Sequence, residues 1–154
     1  MNNAELLSEL SNQERDIQFT QFNSHLAFQI GSYVVKKGMR ESLPIAVDIT
    51  VGSRCLFHFS FDGASMDNER WIERKRNSVL RFNHSSYYMG RLLEKEGKSM
   101  NERFMIKEEE YAFHGGCFPI IIKNTGVIGT MTISGLTQQE DHALVVEALK
   151  EYLM

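Results

Sequence analysis

A chain of 154 residues, 42% of them hydrophobic and 24% charged, has the composition of one globular domain over residues 1–154, not of a disordered or fibrous protein. The formal net charge of -3 supplies no field that attracts polyanions, so we expect no nucleic-acid partner. No apolar run approaches the roughly 20 residues that span a bilayer, and the first residues lack the pattern of a secretion signal. We therefore expect a cytoplasmic protein with no membrane partner.

The beginning of the chain predicts two helices joined by an extended segment. Leucines at helical spacing within residues 1–15 predict a short N-terminal helical extension. Residues 17–22 alternate apolar and polar side chains, which predicts a short strand or an extended arm. Asn23 or Ser24 then caps a helix that runs to about Gly38.

Two alternating segments, residues 45–51 and 54–61, predict an antiparallel strand pair that turns at Gly52-Ser53. One face carries core residues, among them Cys55 beside three phenylalanines. The other face is polar and includes side chains from a later strand: Asp48, Thr50, Arg54, His58, Thr130 and Thr132. Because an unpaired buried polar group costs ~1 to 3 kcal/mol, this face should line a cavity, meet a neighbouring subunit or lie under a polar helix.

The two cysteines, Cys55 and Cys117, have neither CxxC spacing nor a histidine at metal-ligand spacing. We interpret them as reduced core thiols and expect no disulfide. No two histidines are four residues apart, so the sequence also predicts no metal site.

The next predicted helix has a lysine within its apolar stripe, which contains Trp71, Lys75, Val79 and Phe82. Two interpretations of Lys75 stay open. Its methylene groups could pack beside Trp71 while the ammonium reaches water, or the ammonium could meet an anion. Arg74 and three further arginines make this helix basic, but glutamates partly neutralise it. We expect a small carboxylate- or phosphate-bearing ligand here in preference to nucleic acid.

A further helix is predicted from Ser85-Ser86 to about Glu96, and residues 100–110 read as an acidic loop. Two strand-like runs, residues 117–123 and 126–133, then flank Asn124-Thr125-Gly126 and predict a hairpin. The pattern Thr137-x-x-Glu140 is a capping box, which opens the last helix.

Two histidines lie near this C-terminal unit. His114 precedes Gly115 and Gly116, whose missing side chains would let a ligand approach the backbone and whose amides could donate to an anion. The alternative is a strand-end histidine bonded to a carbonyl group. His142 follows Asp141 in the first turn of the last helix, where the helix dipole favours an anion or a neutral imidazole.

The chain contains the motifs His114-Gly115-Gly116, Phe118-Pro119-Ile120, Gly126, Ile128-Gly129, Ile133-Ser134-Gly135 and Asp141, and the turn Asp62-Gly63-Ala64. Together these motifs resemble the haem-degrading-domain family, which includes the GlcG-like proteins. His142 and Trp71 together resemble an uncharacterised branch of the family. The resemblance runs from about Asp16 to the end. It implies a profilin-like α+β fold, with an antiparallel sheet of about five strands and helices packed against it, and ring-like homo-oligomers.

The sequence leaves two functions open. The first is a homo-oligomeric binding protein without catalysis, whose ligand or partner contacts Trp71, Arg74, Lys75, His114, Gly115, Gly116, Ser134, Asp141 and His142. The resemblance makes haem one candidate cofactor, with His114 on the iron and Lys75 or Arg74 on the propionates. The second is an enzyme acting on haem or a small carboxylate by His114 and Asp141 acid-base chemistry; no nucleophile, base and orienting group stand out by spacing. Both require Trp71 and His114 to lie beside one hollow.

Overall fold

Helices and strands alternate along the chain in a computed structural model that describes residues 1–153. In chain order these elements are α1 (Asn3–Asp16), α2 (Ser24–Glu41), β1 (Ala46–Val51), β2 (Arg54–Ser60), α3 (Met66–Phe82), α4 (Ser86–Glu96), α5 (Met100–Phe104), β3 (Cys117–Ile122), β4 (Gly126–Ser134) and α6 (Gln138–Glu151). No helix within the described chain is long and apolar enough to cross a membrane.

The strands form one antiparallel sheet in the order β2-β1-β4-β3, which confirms the predicted α+β class. The sheet has four strands where about five were expected. The residues after α1 form an extended arm and not a strand, since only Phe19 pairs with the sheet, in an isolated bridge to Ile122. Phe19 receives a hydrogen bond from Lys123 and donates one to Ile121. The arm therefore covers the edge of β3, which would otherwise present unpaired backbone groups.

The main core lies between one face of the sheet and the helices α2 and α6. Its fully buried side chains include Ile30 and Val34 of α2, Ile49 of β1, and Leu149 of α6. Helix α2 lies so close to β2 that a methyl group at Gly31 would overlap the Phe57 ring. The alternation of β1 and β4 predicted this face correctly.

The prediction that Cys55 is a core thiol is wrong. Ile49 pairs with Phe57 but Thr50 pairs with Cys55, so the register of β1 and β2 shifts at a β-bulge that leaves Leu56 as the extra residue. A shift of one residue moves a side chain to the opposite face of a strand. Cys55 is therefore exposed and contacts Asp48 on the polar face of the sheet, away from the core. Cys117, in contrast, is buried as expected.

The polar face of the sheet lies under α3, which is one of the three arrangements that the sequence allowed. Helix α3 packs across β4, β3 and β1. Thr130 and Thr132 are fully buried beneath it, and the Asp48 carboxylate accepts a hydrogen bond from Thr50 and contacts Arg76 of α3. Helix α3 covers the part of this face that β4, β3 and β1 form, whereas Cys55 and His58 of β2 remain exposed.

Part of the predicted acidic loop is a helix. Ser99 and Glu102 form a reciprocal capping box at the start of α5, with the same pattern that opens α6 at Thr137 and Glu140. The segment is anchored by a second small core between α4 and the residues after α5, formed by Met89, Leu93, Ile106 and Phe113. The loop prediction gave weight to the charges and overlooked the capping pattern.

Helix α1 packs on α4. Leu10 is buried, and the carboxylate of Glu14 contacts His84 Nδ1 at 2.8 Å and accepts a hydrogen bond from the Ser85 amide at 3.1 Å. Glu14 thus joins α1 to the N-terminus of α4, where a negative charge is favoured by the helix dipole.

Candidate functional site

A cavity of about 290 Å³ opens between α3, the segment before β3 and the N-terminus of α6. Its walls combine polar, aromatic and aliphatic side chains from all three elements: Asn68, Trp71, Lys75, His114, Ser134, Gly135, Leu136, Gln138 and Asp141. Five of the residues predicted from sequence are therefore brought together: Trp71, Lys75, His114, Ser134 and Asp141.

Trp71 and His114 form one wall of this cavity. Their ring centroids are 5.0 Å apart and their planes meet at 78°, so the two rings contact each other edge to face. Residue 71 lies in the second turn of α3, and residue 114 lies three positions before β3. The helix and the chain leading to the final hairpin thus converge on a common hollow, as the sequence hypothesis requires.

Lys75 and Asp141 form a buried ion pair at this cavity. The Lys75 ammonium donates to Asp141 Oδ2 at 3.3 Å and to the Ile133 carbonyl at 3.1 Å. The side chains retain only 4% and 3% of their exposure, respectively. Of the two interpretations of Lys75, the one in which its ammonium reaches water is therefore wrong. A methyl group on Gly116 would lie 2.6 Å from Lys75 Nζ, so this glycine makes room for the ammonium.

Burial acts against the charged form of both partners. It lowers the pKa of Lys75 and raises the pKa of Asp141, and in each case the attraction of the partner opposes the shift without cancelling it. Asp141 is further held by the backbone amide of Leu136, which donates to Oδ1 at 3.0 Å. The cavity therefore contains a charge pair whose desolvation is only partly offset inside the protein.

His114 is a neutral imidazole at pH 7. Burial lowers its pKa, and the positive charges of Lys75, Arg74 and Arg91 lower it further, against a small opposing effect of Glu108. Arg74 lies over the Trp71 ring, 4.5 Å from the centroid, and donates to the carbonyl groups of Glu108 and Tyr111. This wall of the cavity therefore combines a neutral imidazole with the positive charges of nearby lysine and arginine side chains.

Four residues of the predicted site do not line the cavity: Arg74, Gly115, Gly116 and His142. Gly115 packs against Gln138 and donates its amide to that side chain at 3.2 Å, so its backbone faces protein and not an open space. Consecutive residues of a helix point about 100° apart. Since Asp141 points to the cavity, His142 points away from it, into the contact between α6 and α1.

His142 is buried among aromatic side chains and the first helix. Its ring contacts Tyr87 and Phe118, and Nε2 makes a hydrogen bond of 2.8 Å with Gln13 Oε1. Nδ1 is buried without a partner in the described chain. Burial lowers the pKa of His142 to about 4, so the ring is neutral at pH 7.

Sequence reasoning missed four wall residues: Asn68, Gly135, Leu136 and Gln138. Asn68 accepts a hydrogen bond from the Ser65 amide at the start of α3 and donates one to Ser134 Oγ at 3.1 Å. The other three lie in the turn and first residue of α6, between Ser134 and Asp141. Their position between two predicted site residues was the available signal.

These features define an α+β domain with a small polar cavity between its third and last helices. The chain belongs to the family described as "Haem degrading protein HbpS-like", whose family model matches residues 22–150. This confirms the resemblance to the haem-degrading-domain family.

Several curated relatives carry the name "UPF0303 protein", which states no activity and agrees with an uncharacterised branch of the family. One from Psychromonas ingrahamii is 39% identical over 153 residues, covering 99% of this chain and 96% of the relative. One from Streptomyces avermitilis is 42% identical over 147 residues, covering 96% and 90%.

Solved structures agree with the fold. The Ybr137w protein matches with a TM-score of 0.86 and 36% identity, over 95% of this chain and 86% of that one. A double mutant of Streptomyces reticuli HbpS has a TM-score of 0.69 at 14% identity, over 89% and 90%. A PduOC:Heme complex has a TM-score of 0.68 at 14% identity, over 84% and 93%. At such identities the last two likenesses concern the fold alone.

Proposed function

We propose that this protein binds a small carboxylate- or phosphate-bearing molecule in the cavity beside Trp71 and His114, without turning it over. The observation that carries the proposal is the placement of a buried ammonium and a neutral imidazole in the wall of one cavity, within a positive field. An anion in the cavity would add to the attraction of Asp141 in offsetting the desolvation of the Lys75 ammonium.

The donors around the cavity support an anionic ligand. An ammonium group has three N–H donors, and the contacts of Lys75 within the protein are Ile133 O and Asp141 Oδ2. Asn68, Ser134 and Gln138 add amide and hydroxyl groups to the walls. Arg74, stacked on Trp71, adds positive charge just outside. Such groups recognise carboxylates and phosphates by charge-assisted hydrogen bonds.

The size and the apolar walls limit the ligand further. Binding pockets for small molecules enclose roughly 300–1,000 Å³, so a cavity of about 290 Å³ suits a molecule at the small end of that range. The Trp71 ring and Leu136 offer apolar contact for a flat or aliphatic body. The ligand class we infer is a compact acid with one apolar side.

Trp71 reports on this site directly, because it is the single tryptophan of the chain. We expect benzoate and inorganic phosphate to change its fluorescence in a saturable way. The double variant Lys75→Met/Asp141→Asn, which removes both charges of the pair together, should weaken this response at least tenfold, a loss of about 1.4 kcal/mol. Lys123→Met, at an exposed lysine after β3, is the matched control and should bind as the wild type does. Equal affinity in the double variant, or no saturable response to either anion, would contradict the proposal.

Haem is the second candidate ligand, favoured by the family description and by the PduOC:Heme complex. The neutral His114 imidazole suits an axial position on iron. The cavity does not enclose a whole macrocycle, however, so the walls present do not fit haem as a buried group, and we derive no chemical step through it. Titration with haemin separates the two ligands: a Soret band lost in His114→Ala would favour haem, and bleaching of that band by reductant and oxygen would favour an enzyme.

Acid-base catalysis by His114 with Asp141 is the alternative function. Asp141 is engaged by Lys75 and by the Leu136 amide, whereas His114 packs on Trp71. A general base needs hydrogen-bond reach to the proton it takes, and these contacts do not place the two side chains in one relay. They support binding in preference to turnover.

We also propose that the protein is a cytoplasmic homo-oligomer. The free cysteines Cys55 and Cys117 suit a reducing compartment. On the outer side of α3, Met66 and Leu80 are 79% and 48% exposed, beside exposed arginines. Burial of these side chains against a second copy would remove apolar area from water. Light scattering of the purified chain should give a mass of at least twice 17.7 kDa, which Met66→Lys/Leu80→Lys should reduce, and a monomer at all concentrations would refute this assembly.

A further inference from the structure

A second cluster of reactive side chains lies on the polar face of the sheet, apart from the residues that line the cavity. Asp48 of β1 and Cys55 and His58 of β2 direct their ligand atoms toward one another, all within 4.8 Å. Asp48 Oδ2 lies 2.9 Å from His58 Nδ1 and 3.7 Å from Cys55 Sγ. The β-bulge at Leu56 creates this grouping, because it turns Cys55 to the face of Asp48 and His58.

We propose that Asp48, Cys55 and His58 bind a divalent transition-metal ion of the zinc class, with a water molecule in the fourth position. The site is independent of the ligand cavity and of the function proposed for it. A thiolate, an imidazole and a carboxylate are the three ligand types that zinc takes in proteins, and three protein ligands with one open position are typical of reactive zinc sites.

The oxygen–sulfur separation in the cluster suits tetrahedral coordination, and the oxygen–nitrogen separation is shorter than such coordination needs. With zinc bonds of about 2.0–2.3 Å, an oxygen and a nitrogen ligand lie about 3.4 Å apart, and an oxygen and a sulfur ligand about 3.6 Å apart. The oxygen–sulfur separation here is 3.7 Å. The oxygen–nitrogen separation of 2.9 Å has to widen by about 0.5 Å, which a small rotation of the partly exposed His58 ring provides.

Surrounding groups already hold the proposed ligands. Glu69 Oε1 lies 2.6 Å from His58 Nε2, so this carboxylate can hold the proton on Nε2 when Nδ1 exchanges its contact with Asp48 for a metal. The two oxygens of Asp48 have separate roles: Oδ1 accepts from Thr50 at 2.6 Å and contacts Arg76 at 3.5 Å, whereas Oδ2 faces the imidazole and the thiol.

The charges and the exposure of the cluster are compatible with a bound ion. A divalent ion with one thiolate and one Asp48 carboxylate is neutral, and the charges of Arg76 and Glu69 offset each other. Cys55 is exposed, which gives an ion a path to the site from solvent.

Cobalt(II) provides the test, since it replaces zinc at such sites and its thiolate complexes absorb in the near ultraviolet. The intact wild-type chain, titrated with Co²⁺ alone, should develop a thiolate-to-cobalt band and tetrahedral visible bands at one equivalent, and one equivalent of Zn²⁺ should abolish both. Cys55→Ser should lose the thiolate band. Glu69→Gln should keep it but weaken Co²⁺ binding by 10–100-fold, as expected when a group that orients a ligand is removed.

Two matched variants control for the residue types. Cys117→Ser removes the buried core thiol, and His25→Ala removes an exposed imidazole; both should keep the wild-type spectrum. A measurement on the wild type avoids variants altogether: Zn²⁺ should slow alkylation of the exposed Cys55 at least tenfold. Absence of the band, its persistence in Cys55→Ser, its loss in Cys117→Ser or His25→Ala, or alkylation unaffected by Zn²⁺ would overturn the proposal.

Discussion

Replacing Lys75 by methionine is expected to lower the free energy of unfolding by about 3–5 kcal/mol, because it leaves the Asp141 carboxylate buried without its partner. Both side chains are almost completely buried, so solvent compensates the remaining carboxylate poorly. Urea unfolding at pH 7 measures the change. The loss should shrink as the pH falls, because the pKa of Asp141 is already raised by burial and protonation then relieves the unpaired charge.

The double variant Lys75→Met/Asp141→Asn is the control for this effect. The asparagine Oδ1 can still accept from the Leu136 amide, and no charge remains buried. Replacing both members of a buried pair is often close to neutral, so the double variant should be more stable than Lys75→Met alone. The single variant Asp141→Asn completes the comparison. If the losses of unfolding free energy in Lys75→Met and Asp141→Asn simply add in the double variant, or if Lys75→Met costs less than about 1 kcal/mol, the two side chains do not form a stabilising buried pair.

Replacing His142 by glutamine is expected to make the protein less sensitive to acid. Burial lowers the pKa of His142 to about 4 in the folded chain, against an ordinary value of about 6.5. Between these values the unfolded chain binds more protons than the folded one, so the free energy of unfolding falls as the pH falls. The difference between these two pKa values corresponds to about 3 kcal/mol of unfolding free energy, which is lost on going from pH 7 to below pH 4.

The measurement is the difference in unfolding free energy between wild type and His142→Gln, followed from pH 7 to pH 4. Glutamine retains a donor for Gln13 and does not titrate, so the difference should change by about 3 kcal/mol over this range. His25→Gln, at an exposed position of α2, should follow the wild type throughout. Parallel curves for wild type and His142→Gln would show that His142 does not lose its proton affinity on folding.

Sequence patterns predicted those elements of the fold that are determined by residues close together in the chain. The alternation of β1 and β4, the Asn124-Thr125-Gly126 turn and the capping box at Thr137 depend on neighbouring residues, and all three are present. The capping box at Ser99 follows the same rule and was available to the same reasoning. The apolar spacing of α3 also showed Lys75 to be an unusual residue.

Other features depend on contacts between distant residues. Lys75 is paired with a residue 66 positions away, so its burial as an ion pair could not be read from the stripe of α3. The bulge at Leu56 follows from how β2 pairs with β1, and an ideal alternation placed Cys55 on the wrong face. His142 was grouped with Asp141 because they are adjacent in sequence, but helical geometry sends them to different sides of α6.

The most direct test of the anion-binding proposal is an NMR titration of the histidine side chains with and without benzoate. Without ligand, His114 should titrate below its ordinary pKa, because burial and three nearby cations disfavour its charged form. Bound benzoate places a negative charge beside the ring and should raise the His114 pKa. A His114 titration that saturating benzoate leaves unmoved would contradict binding in this cavity.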